Sequence, residues 1–195
     1  MRVIAGSARG LYLDVPGTGV RPTMDQVKGA IFSSLAPLIP GASVLDLFAG
    51  SGGLGIEALS RGADSATLVE QDRKALLCIR KNLERTALTA RVISSDVYRF
   101  LARETERYDL IFADPPYTHD EKRTDHARLL LENRELPLLL KQGGVFVLEK
   151  TPKTVLPDTP HWVVTRLKRY GNTELVFLES ALNPDPTPCD VTPEK

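Results

Sequence analysis

The chain has 195 residues, 25 Lys and Arg against 25 Asp and Glu, and 42% apolar residues. That is an ordinary globular composition of one-domain size, with no apolar run near the ~20 residues of a membrane span. Two cysteines, Cys78 and Cys189, and three scattered histidines, His119, His126 and His161, offer neither a disulfide framework nor a metal-ligand spacing. With no leader-like start the expected location is cytoplasmic.

The first segments, residues 2–5 and 10–14, read as short strands around Gly6 and Gly10, a small N-terminal β-hairpin. Thr23 followed by Gln26 resembles a capping box, opening a helix through about Leu35 whose Val27, Ala30 and Ile31 share a face. Arg2, Arg9, Arg21 and Lys28 outnumber Asp14 and Asp25 here, so Arg2, Arg9 and Lys28 are candidate contacts to a nucleic-acid phosphate backbone. Pro37, Pro40 and Gly41 then break the chain.

A regular alternation follows: strand 43–48, helix 53–60, strand 65–70, helix 72–87, strand 90–94, short helix 96–103, strand 108–113, a leucine-rich helix at 122–140 and strand 145–150. Residues 162–169 and 174–179, split by Gly171-Asn172, read as a closing hairpin with Arg166, Lys168 and Arg169 clustered on its first strand. The expected fold is α/β: a mostly parallel, seven-stranded sheet with helices on both faces and a C-terminal antiparallel hairpin. The expected organisation is an N-terminal extension over 1–40, the main domain over 41–180 and a proline-rich, disordered tail over 181–195.

Four strand tips carry chemistry. At the first, Asp46-Leu47-Phe48-Ala49-Gly50-Ser51-Gly52-Gly53-Leu54-Gly55 runs strand, glycine loop, helix. Gly50, Gly52 and Gly55 fit the dinucleotide pattern G-x-G-x-x-G, which is weak alone. Asp46 sits where a pyrophosphate would rest on the helix N-terminus. An acid there disfavours pyrophosphate and suits a ligand carrying an ammonium and a sulfonium, as S-adenosylmethionine does. Glu70 at the second tip can accept both ribose hydroxyls of either cofactor. Asp96 at the third, with the Val97 amide, can meet an adenine, or Asp96 can simply cap the following helix.

The fourth tip is Asp114-Pro115-Pro116-Tyr117. Two prolines make a stiff turn and hold the preceding residue extended. The turn therefore presents a carboxylate, a fixed Pro115 carbonyl and an aromatic face. The amino nitrogen of a nucleobase is a poor nucleophile because its lone pair is delocalised. Two acceptors on its hydrogens, Asp114 and the Pro115 carbonyl, draw it toward tetrahedral geometry, Pro116 stiffens the turn, and Tyr117 stacks on the base. Nothing in that turn separates guanine from adenine, so an adenine-N6 methyltransferase on DNA or RNA stands beside a guanine-N2 enzyme. An NAD-dependent oxidoreductase and a non-catalytic RNA-binding module are more distant alternatives.

Taken together, Asp46-x-Phe48-Ala49-Gly50-Ser51-Gly52 and Asp114-Pro115-Pro116-Tyr117 resemble the Rossmann-like class I S-adenosylmethionine-dependent methyltransferases. Arg2-Val3-Ile4-Ala5-Gly6, Arg9-Gly10 and Arg21-Pro22-Thr23-x-Asp25-x-Val27-Lys28 narrow the likeness to the RsmD family, over roughly residues 1–180. Leu11 and Tyr12 stand where members of that family often carry basic residues. The resemblance implies methylation of a guanine N2 in small-subunit ribosomal RNA; the expected partner is that RNA within an assembling subunit, and nothing in the sequence demands an oligomer. It implies that Arg21 and Thr23 fold over the methionine end of the cofactor, and that Phe48 and the glycine loop line that end. Glu70 would take the ribose, and Asp96 with Val97 the adenine.

Overall fold

The computed structural model describes residues 1–16, 22–116 and 125–182, with backbone alone at 22–24. Seven strands, β1 Ser43–Leu47, β2 Ser65–Glu70, β3 Arg91–Ser94, β4 Tyr108–Ala113, β5 Leu140–Lys150, β6 Trp162–Tyr170 and β7 Thr173–Ser180, form one sheet in the order β3-β2-β1-β4-β5-β7-β6. The first five are parallel, and β7 runs antiparallel to both β5 and β6. Among the described residues the α-helices are α1 Pro22–Ser34, α2 Gly53–Ser60, α3 Arg73–Thr86, α4 Val97–Leu101 and α5 His126–Glu132.

Strands covered on both faces read as continuous apolar runs, and β1 and β4 do. Their side chains alternate between two cores. Val44, Leu110 and Phe112 pack with Ile31 and Phe32 of α1, Ala58 of α2 and Ile79 of α3. Leu45, Leu47 and Ile111 pack on the other side with Leu101 of α4 and Leu130 of α5. Phe112 and Phe32 meet at 5.7 Å between ring centres. The order reverses between β1 and β4, which is the switch point at whose carboxyl ends open α/β sheets bind ligands. No helix among the described residues is long and apolar enough to cross a membrane.

Element limits agree with the sequence pattern at β2, α2 and β4 and lie within two residues elsewhere, with three exceptions. The N-terminal hairpin is reduced to one bridge, Arg2 to Tyr12. Val3 and Leu13 still donate across it to the Leu11 and Met1 carbonyls and Gly10 to Val3, but the amides toward its tip turn to α2: Ile4 and Ala5 donate to Glu57 at 2.8 and 3.0 Å, Ser7 to the Ser60 carbonyl and Ala8 to Ser60 Oγ. Gly6 makes that approach possible, since a Cβ there would lie 1.6 Å from the Ser60 oxygen. The long helix expected over 122–140 stops at Glu132. Asn133 leaves the helical region, and its Oδ1 accepts from Glu135 and Leu136, opening a 3₁₀ turn at Leu136–Leu139 that contains Pro137. Strand β5 starts at Leu140, earlier than expected, because Leu140 already pairs with Tyr108 before the register shifts. The tail beyond Leu182 lies outside the described residues.

Candidate active site at the carboxyl ends of the strands

The loop after β1 reverses over a few residues, and Phe48, Gly50 and Gly52 all have positive φ, at 60°, 55° and 81°. For phenylalanine this conformation costs about 1–3 kcal/mol, so the surroundings must hold it. The Gly50 amide donates to Glu70 Oε2 at 2.8 Å, while Glu70 Oε1 accepts from Gln71 and Asp72 at 2.7 and 2.8 Å. Fully buried Asn82 of α3 donates to the Ser51 carbonyl and to the Asp14 carbonyl, both at 2.9 Å, and accepts from the Asp14 amide at 2.8 Å. One amide side chain thus joins the glycine loop to the N-terminal segment. Gly55 passes so close to β2 that a Cβ would sit 2.1 Å from Leu68 Cδ2, and its amide donates to Asp46 Oδ2 at 2.9 Å.

Two of the acids at these tips, Asp46 and Asp114, are poorly compensated. Asp46 is 1% exposed. Burial pushes its carboxyl up to about 7; the Gly55 hydrogen bond opposes the rise and the nearby Glu70 charge adds to it. Asp114, half-buried just past β4, is driven well above the usual carboxylate range by desolvation first, then by Glu149 and Asp46. Glu149 follows Leu148, the β5 partner of Ala113, and so stands beside Asp114. Among the described residues neither Asp46, Glu70 nor Asp114 forms an ion pair with a lysine or arginine. Such a pocket favours a cationic ligand, whose charge would draw Asp46 and Asp114 back to the ionised form.

Three rings close one side. His126, first residue of α5, stacks on Tyr98 of α4 with ring centres 5.9 Å apart and planes 8° apart, and meets Phe48 edge-on at 5.1 Å. Tyr98 Oη and His126 Nδ1 are hydrogen-bonded at 2.8 Å. Burial lowers the imidazole's affinity for a proton, against the opposing charges of Asp96 and Asp125, and burial raises the Tyr98 phenol.

The structure brings Asp46, Phe48, Gly50, Gly52, Glu70, Asp96, Val97, Asp114, Pro115 and Pro116 to one end of the sheet. Asp96 caps α4, accepting from the Tyr98 and Arg99 amides at 3.0 Å, and remains exposed. Arg21 and Tyr117, the side chain of Thr23, and His119 lie outside the described residues. Arg2 and Arg9 are exposed on the N-terminal segment. Lys28 requires a correction. Its side chain is 3% exposed, 3.0 Å from Glu57 Oε2, and donates to the Arg2 carbonyl at 2.7 Å, so it is an internal ion pair and not a phosphate contact. Tyr98, His126 and Glu149 join the site without having been expected from the sequence. The first two are adjacent only because two separate loops meet, but Glu149 had a signal: it is the acid near the end of the strand next to β4. No group of His, Cys, Asp and Glu suited to a metal occurs among the described residues.

Residues 1–179 match the family described as Conserved hypothetical protein 95. The Ribosomal RNA small subunit methyltransferase D of Escherichia coli is 47% identical over 180 residues, covering 88% of this chain and 85% of that protein. Its Haemophilus influenzae counterpart is 35% identical, covering 88% and 89%. Among solved structures, a Thermus thermophilus hypothetical protein superposes with a TM-score of 0.77 at 34% identity, over 92% of this chain and 99% of its own. The T. thermophilus 16S rRNA N2 methyltransferase RsmC, solved with AdoMet and guanosine, gives 0.60 at 26% identity, over 85% of this chain and 44% of that one.

Proposed function

Since the chain belongs to the RsmD family of ribosomal RNA methyltransferases, we propose that it transfers the methyl group of S-adenosylmethionine to the N2 amino group of a guanine in small-subunit ribosomal RNA. The observation that carries this reading is the pair of desolvated acids, Asp46 and Asp114, at the tips of adjacent strands with no cation of the described residues paired to either. S-adenosylmethionine supplies an electrophilic methyl on a positively charged sulfur. Asp46 and the glycine loop hold its charged methionine end, with Arg21, Thr23 and Phe48 around it. Glu70 accepts from the ribose, and Asp96 with the Val97 amide faces the adenine.

The target base leaves its stack to enter the pocket, as it must for chemistry at a base edge. Asp114 and the Pro115 carbonyl take the two amino hydrogens, Pro116 keeps the turn rigid, and Tyr117 stacks on the ring. The lone pair then points at the methyl, and the amine proton, made acidic by methylation, passes to Asp114. A carboxyl that is drawn up when the site is empty and down when a cation arrives is suited to accept that proton only in the loaded enzyme. The substrate is the RNA of an assembling small subunit, with Arg2 and Arg9 on its phosphates.

The test is methyl transfer from labelled S-adenosylmethionine to small-subunit particles from a strain lacking this gene, followed by nucleoside analysis. Labelled N2-methylguanosine is expected. Labelled N6-methyladenosine would keep the chemistry and replace the substrate, and no label from a cofactor-binding protein would refute the ribosomal assignment.

A further inference from the structure

Strand β6 is the outer edge of the sheet and carries Arg166, Lys168 and Arg169, which form no ion pair among the described residues. Their height relative to the active site follows from the register. Ala113 pairs with Leu148, so Asp114 continues beside Glu149; Glu149 pairs with Leu175, and Leu175 with Lys168. Asp114 and Lys168 thus lie on one row across the sheet. Three inter-strand steps of about 4.8 Å separate them, about 15 Å in all. Arg169 lies one residue further toward the ligand-binding end, and Arg166 lies below on the row of Phe177.

Partners in a ladder share a face. Arg166 and Lys168 are opposite Phe177 and Leu175, whose side chains enter the core beneath α1, so both cations project from that face of the edge. The acid nearest this row, Glu174, opposite Arg169, is already held by buried Lys150 in an ion pair. The other acid opposite β6, Glu179, pairs with Val163 at the far end of the strand. The cationic end of β6 is therefore the end level with Asp114.

We propose that the β6 edge is an RNA-binding rail: Arg166, Lys168 and Arg169 take the phosphates flanking the nucleotide held at Asp114. The inference rests on the ribosomal RNA reading above and adds to it the direction in which the strand leaves the pocket. Charge complementarity selects the occupant, since three cations without acid partners among the described residues, at catalytic height, match a polyphosphate backbone. An edge of alternating cations is also poorly suited to strand pairing with a second copy.

The experiment compares the double reversal Arg166→Glu/Lys168→Glu with the wild-type protein, using small-subunit particles lacking the modification as substrate. As a control, Arg80→Glu/Lys81→Glu changes net charge equally on the exposed face of α3, at the other end of the sheet. The β6 variant is expected to raise KM for particles at least tenfold, with kcat and cofactor affinity within twofold. Its log–log salt dependence should flatten by roughly 1.4–1.8 units, at about 0.7–0.9 for each of two phosphates no longer neutralised. The control should move KM less than threefold. Equal effects of the two variants, or none from β6, would overturn the proposal while leaving the wild-type methylation intact. Failure of the wild type to methylate particles would sink the underlying reading instead. A concentration-dependent dimer that the β6 variant dissociates would hand the edge to a second copy and also overturn the proposal.

Discussion

Two buried carboxylates, Asp46 and Glu57, sit at opposite ends of the same short stretch and are treated in opposite ways. Glu57 is fully buried and answered from every side: two backbone amides of the N-terminal segment, Lys28 at 3.0 Å and Arg61 at 2.7 Å. Asp46 is equally hidden and receives one amide, from Gly55, with further negative charge nearby. A folded protein that satisfies one buried acid so fully and leaves another wanting separates scaffold from site. The first acid fastens Ile4, Ala5 and α1 to α2. The second stores an electrostatic demand that a cationic ligand can meet.

The sharpest way to break that comparison is at the reacting end. Asp114→Ala should lower kcat by about a hundred- to a thousand-fold, the size of effect seen when one preorganised polar group is removed from a reacting centre. Calorimetry should show S-adenosylmethionine binding changed only a few-fold, and near wild-type turnover would remove Asp114 from the mechanism. Next in size is Lys28→Met, which leaves Glu57 short of a partner. Removing half of a buried pair costs about 3–5 kcal/mol. At roughly 2–4 °C per kcal/mol for a chain of this size, the melting temperature should drop by at least about 6 °C. Activity below that transition should keep its salt dependence, which a phosphate contact at Lys28 would not.

Asp46→Asn tests the other member. A carboxyl raised in the folded state holds its proton on folding. Its stabilising contribution is therefore full below the ordinary carboxylate range and lost as pH rises through about 7. The substitution should leave melting unchanged near pH 3 and raise it above pH 7. The ceiling is about 4 kcal/mol, given about 1.4 kcal/mol per pKa unit. S-adenosylmethionine affinity should fall about tenfold at the same time. A variant that melts lower at pH 8 would show that Asp46 is scaffold after all. The smallest effect is expected from Tyr98→Phe, which removes the hydroxyl held to His126 and keeps the ring. A net loss of about 1 kcal/mol in stability and a few-fold in kcat/KM is expected from thermal melts and initial rates.

Periodicity and turn residues placed β2, α2 and β4 to the residue, because strands buried on both faces and a helix framed by glycines advertise themselves locally. The acids at strand tips were legible for the same reason, since position along a strand fixes which end a residue occupies. What escaped was set by distant partners. Lys28 looked like a surface cation because Glu57, twenty-nine residues later, is what buries it. The 2–5 segment reads as a strand, yet the amides of Ile4 and Ala5 find a glutamate on α2. The leucines of 122–140 share a helical period, but Asn133 offers the following amides a side-chain acceptor that competes with the helix. The ring cluster needs the tips of β1 and β3 and the start of α5 to converge, which no local pattern announces.

Asn82 gives this architecture a thermodynamic consequence. Because one carboxamide grips both the loop that would cradle the cofactor and the backbone of Asp14, ordering either partner lowers the cost of ordering the other, and the coupling is reciprocal. Cofactor occupancy should therefore slow deuterium uptake at the amides of Val3, Gly10 and Leu13, which are hydrogen-bonded within the N-terminal segment. The first fourteen residues would then behave as a clasp whose tightness reports whether the enzyme is loaded.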